Sequence, residues 1–127
     1  MELEITDRLN ILGAEITFLG DGLAVLAARK EAELKQEKNV ERQKQMEEEA
    51  DELNKFANWI TLFGDFISAI AAELQAKENI EEINNDEIKM EAIRLNILSS
   101  WINVLGDALA VQAQAVEESA NNDTTVP

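Results

Sequence analysis

The chain has 127 residues, 46% of them hydrophobic and 29% charged, with 26 acids against 11 bases for a net charge of −15. That length makes one domain with a real core, and that charge argues against nucleic acid or an anionic membrane surface, because Lys and Arg supply most phosphate affinity. The absence of Cys, His and Tyr removes disulfides, thiol nucleophiles, zinc ligands and the usual general bases.

The single Pro stands at position 127 and only five Gly occur, which predicts helix, since both residues punctuate turns and strands. The opening MELEITDRLN lacks the basic-then-apolar order of a secretion signal, so the expected location is the cytoplasm. From Ile5 the large aliphatics Ile5, Leu9, Leu12, Ile16, Leu19, Leu23 and Leu26 step by four and three. This is the seam of packed helices, and it predicts a first helix over 3–37. With Leu9 and Ile16 at heptad position a and Leu12 and Leu19 at d, a second apolar row (Ile11, Phe18, Val25) falls at c, and a row of small residues (Gly13, Gly20, Ala27) falls at e. A helical glycine costs about 1 kcal/mol against alanine, so its return at one register predicts a notch for a neighbouring backbone. Glu15 and Asp21 interrupt the most apolar run, over 11–28, and speak against a simple transmembrane span.

Residues 29–51 turn to Glu, Lys and Gln, with pairs such as Glu31 and Lys35 one turn apart, and predict a solvated tip with a break near Asn39. A second helix over 42–78 carries Leu53, Phe56, Ile60, Phe63, Ile67, Ile70 and Leu74, with Gly64 again at e between Ala57 and Ala71, and Trp59 and Phe66 at g. The stretch NIEEINND, over 79–86, offers turn-formers and an Asn84 to Glu87 spacing that suits a capping box. A third helix over 86–118 follows the row Ile88, Leu95, Leu98, Ile102, Leu105, Leu109 and Val116, with Ser99, Gly106 and Ala113 at e, Ile97, Val104 and Val111 at c, and a polar Gln112 at d. Residues 120–127 have nothing to bury and are expected to form a disordered tail, outside a helical domain over 1–119.

One nine-residue pattern occurs three times, as ITFLGDGLA (16–24), ITLFGDFIS (60–68) and INVLGDALA (102–110). Repetition of this kind dictates architecture before chemistry. The midpoint between Gly64 and Gly106 falls at residue 85, and that between Gly20 and Gly64 at residue 42. Both lie in or beside the two breaks, so the expected fold is all-α: an antiparallel three-helix bundle of sequence-related helices that oligomerises.

Such a bundle closes on its a and d rows. Asp21, Asp65 and Asp107 then fall at f and point outward, away from one another, which disfavours a shared Mg²⁺ or Ca²⁺. No catalytic, cofactor or metal residue is predicted. The residues expected to pack or to form an interface are Gly20, Gly64, Gly106, Trp59, Trp101, Phe18, Phe66 and Val104. The apolar and small rows exceed what three helices need. The expected function is therefore that of a non-enzymatic assembly protein, binding copies of itself or a helical protein partner. A membrane- or lipid-associating protein is the first alternative, and an acidic divalent-cation-binding protein the second.

Overall fold

The computed structural model describes residues 4–83 and 86–123, which form three helices in chain order: α1 (Ile5–Leu34), α2 (Val40–Ile83) and α3 (Glu87–Asp123). The helices pack together through α2, which lies against both others, while α1 and α3 make no close backbone contact among the described residues.

The charged tip breaks at Asn39. The last turn of α1 tightens as the amides of Gln36 and Glu37 donate to the carbonyls of Glu33 and Leu34. The Asn39 Oδ1 then accepts the amides of Glu41 (3.0 Å) and Arg42 (3.4 Å) at the start of α2, satisfying donors that no helix can satisfy internally. Gln43 Nε2 donates to the Glu37 carbonyl and closes the turn, and Lys30 meets Glu49 across it at 2.5 Å. Asn39→Ala is expected to remove about 1 kcal/mol of stability, read as a fall in thermal midpoint of about 4 °C. An unchanged midpoint would show that the turn holds without its cap.

At the second break the cap is Asp86, whose Oδ1 accepts the Lys89 amide at 3.1 Å. The expected cap, Asn84, lies outside the described residues. α3 continues to Asp123, so the first four residues of the expected tail are helical, and 124–127 lie outside the described residues.

The seam between α1 and α2 departs from the expectation. It is built on the small e row, with Gly13, Gly20 and Ala27 of α1 buried against Ala50, Ala57, Gly64 and Ala71 of α2. A Cβ on Gly64 would stand 2.8 Å from the Thr17 amide nitrogen and 3.0 Å from the Gly13 carbonyl oxygen, and one on Gly20 would stand 3.0 Å from the Thr61 nitrogen. Backbone meets backbone here, at a separation that leucines cannot match. The close approach multiplies dispersion contacts along the whole pair and allows Cα–H···O contacts, and this outweighs the interlocking of large side chains. Residues early in α1 meet residues late in α2: Thr6 donates to Glu78 (3.3 Å), and Thr17 to Asp65 (3.4 Å).

The a and d rows are consequently not the core. Leu12, Leu19 and Leu26 of α1, Phe56 and Phe63 of α2, and Leu98, Ile102, Leu105 and Leu109 of α3 are all exposed. The core consists of small residues, chiefly Ala27, Ala50, Ala57, Ala69, Ala71, Ala72 and Ala76 with Ile67.

Candidate functional site

The seam between α2 and α3 uses a different row. Here f faces f: Asn58 Nδ2 donates to Gln114 Oε1 at 3.0 Å, Gln114 Nε2 donates to the Asp51 carbonyl at 3.3 Å, and Asp65 meets Asp107. Lys55 adds an ion pair with Glu118 at 3.1 Å. Apolar c residues flank this polar ladder, Leu62 and Ala69 on α2 and Ile97, Val104 and Val111 on α3, all at least partly buried. Beyond them Phe66 and Trp101 meet edge to face, with ring centroids 5.8 Å apart at 77°, and the Trp101 Nε1 donates to Glu73 at 2.9 Å. The indole thus has an apolar body against α2 and a satisfied polar edge.

The three repeated aspartates are not turned away from one another as the heptad predicts. Because α2 uses e toward α1 and f toward α3, its Asp65 sits between the other two helices. Thr17 of α1 donates to it, and Asp107 of α3 stands within hydrogen-bond reach of it and donates to it when protonated. Burial raises the Asp107 carboxyl to about 7 from 3.8, helped by the hydrogen bond to Asp65 and the negative charges of Asp65 and Asp21. Its Oδ2 is shielded from water and has no hydrogen-bond partner. One carboxylate therefore stays neutral well above its ordinary range, as like charges in a shared site require. No three carboxylates stand close enough to hold a metal ion among the described residues.

The expected packing residues divide into three groups. Gly20 and Gly64 lie in the α1·α2 seam, and Phe66, Trp101 and Val104 lie along the α2·α3 seam. Phe18, at 80% exposure, and Trp59, at 53%, face solvent, and nothing stands within 4 Å of where a Cβ on Gly106 would be. The spacing of small residues pointed to Gly13, yet the residues opposite the glycines, Ser68 at Gly13, Thr61 at Gly20 and Thr17 at Gly64, carried no signal of their own. They matter because their short polar side chains fill the notches opposite the glycines.

What remains is exposed apolar surface. Since early α1 lies beside late α2, the a and d rows of both helices fall on one side of their seam. This places Leu12, Leu19, Leu26, Phe56 and Phe63 on a common face, with Leu53 and Phe56 lining a shallow groove beside Lys30 and Glu49. The a, d and e rows of α3 form a second face, directed away from α2. No protein-family model, curated protein or solved structure matches the chain.

Proposed function

We propose that the protein is a non-enzymatic assembly module, an antiparallel three-helix bundle that associates through its outer apolar helix faces. The antiparallel reading is supported by the pairs Thr6 with Glu78, Thr17 with Asp65 and Lys30 with Glu49 on one side, and Asn58 with Gln114 and Lys55 with Glu118 on the other. In each set, rising numbers in one helix meet falling numbers in the next. The three copies of the repeat support a single packing unit used more than once.

The observation that carries the function is the placement of the large apolar side chains. Among the described residues nineteen of them stand exposed, while the interior is built mostly from alanine and glycine. A monomer in water would leave each leucine or phenylalanine about 1.5–3 kcal/mol short of its buried state. Large apolar side chains gathered on one face in this way mark contact sites. Light scattering on a size-exclusion column tests the reading: a mass of two or more chains is expected, and a monomer that stays soluble at high concentration and binds no hydrophobic dye would overturn it.

A membrane surface is the second reading. It has one observation in its favour: α1 contains an 18-residue window of mean hydropathy 1.6, long and apolar enough to cross a bilayer by length and composition. The same helix carries Glu15 and Asp21, both exposed, and the chain is acidic. Flotation with neutral-lipid vesicles separates the readings, since an assembly module stays in the bottom fraction.

A further inference from the structure

We infer that the unpaired face of α3 is the dimer interface, occupied by the same face of a second copy lying antiparallel and centred near Ile102. The inference rests on the assembly reading above and names its partner and surface.

Its first support is the pattern of seams inside one chain. In α1 and α2 the small e row is spent on mutual backbone contact, at Gly13, Gly20 and Gly64. In α3 the equivalent Ser99, Gly106 and Ala113 are exposed, because α3 meets α2 through its f and c rows instead. The repeat thus supplies three pairing faces and uses two. The partner that fits such a face within this chain is another copy of the same repeat, and a second chain provides one.

The second support is area. Ile88, Leu95, Leu98, Ile102, Leu105, Leu109 and Val116 are each more than half exposed along this face, seven large apolar side chains whose burial a partner would supply.

The third is self-complementarity, which a two-fold interface requires. Turning α3 end over end about Ile102 lays Leu95 on Leu109 and brings the small Ser99 within one residue of the level of Gly106. It also brings the two polar d residues, Glu91 and Gln112, together. On the flank, Lys89 of one copy comes within two residues of the level of Glu117 of the other, in reach of a long side chain, and both residues are exposed. A parallel pair would instead put Lys89 beside Lys89 and Glu117 beside Glu117, at a cost for each like-charge contact.

Light scattering and sedimentation equilibrium on the full chain and three variants test the inference. Gly106→Leu adds bulk where the single chain offers open space, so helix content should not change, while the dimer dissociation constant rises about 100-fold through overpacking in both copies. Because leucine adds apolar surface, a merely sticky or lipid-seeking face would associate as well as before or better. Lys89→Glu should weaken the dimer about fivefold, and adding Glu117→Lys should restore it, as expected for two exposed ion pairs. A monomeric parent chain would overturn both this inference and the assembly reading. A dimer indifferent to Gly106→Leu but dissociated by Phe63→Ser, on the α1·α2 face, would overturn the α3 interface and leave the assembly reading standing.

Discussion

Gly64→Leu is expected to cost 3 kcal/mol or more and to move the urea midpoint sharply downward, whereas Gly22→Leu should leave the midpoint unchanged or raise it slightly. The two glycines differ in what surrounds them. A side chain at Gly64 meets the Thr17 amide nitrogen and the Gly13 carbonyl, parts of a helix backbone that cannot rotate away. The whole α1·α2 pair would have to separate, which would undo the neighbouring contacts at Gly13 and Gly20. Overpacking of this kind costs about 1–3 kcal/mol at one site, and disrupting a seam of several such sites adds to it. Gly22 has nothing within 4 Å, so only helix propensity acts there, and it favours leucine by about 0.8 kcal/mol. Chemical denaturation followed by circular dichroism checks both variants. Equal losses at the two positions would mean that the glycine row does not hold the helices together.

That contrast also explains which parts of the fold were legible. The three helices, the break at Asn39 and the special register of Gly13, Gly20 and Gly64 follow from spacing alone. The row that forms the seam does not. A four-three pattern of leucines and a seven-residue pattern of glycines coexist on one helix, and each describes a workable packing. The choice depends on how closely two backbones approach, a property of the pair that neither helix carries by itself. Choosing the a and d rows placed Leu12, Leu19, Phe56 and Phe63 inside, where the structure has them exposed. The same choice misplaced the aspartates. An f position is the back of a helix that packs on a and d, but it borders the seam of a helix that packs on e. For α2, whose f row faces α3, it is the seam itself.

The exposed leucines and phenylalanines then have a plain physical origin. Glycine and alanine form a close seam but bury little apolar area, so the large side chains are left on outer surfaces. α2 combines both roles: its Ala57 and Ala71 are fully buried, while Phe56 and Phe63, a residue away from the seam positions, are 58% exposed. A chain built this way holds its internal geometry through close contact and leaves most of its large apolar side chains outside that contact.

The second large effect is expected at Asp107. Asp107→Asn should stabilise the protein at pH 8 and leave it unchanged at pH 4, with the two stability curves diverging between those values. The sign follows from proton linkage. The folded chain holds a proton on Asp107 up to about pH 7, whereas the unfolded chain loses it near 3.8. Between these values the folded state binds more protons, so stability falls as pH rises, and it levels off once the folded carboxyl has ionised. Asparagine keeps a hydrogen-bond donor toward Asp65 and carries no charge at any pH. It therefore imitates the protonated acid and avoids the cost of ionising a half-buried carboxylate beside Asp65 and Asp21. Asp107 is only partly buried, so solvent screens part of that cost, leaving about 1–2 kcal/mol, or about 4–8 °C in thermal midpoint. The net charge of −15 gives both proteins a shared background dependence on pH, so the difference between their curves isolates this one group. Curves that remain parallel from pH 4 to 8 would show that Asp107 ionises as freely in the bundle as in the unfolded chain, and that the aspartates do not share one level.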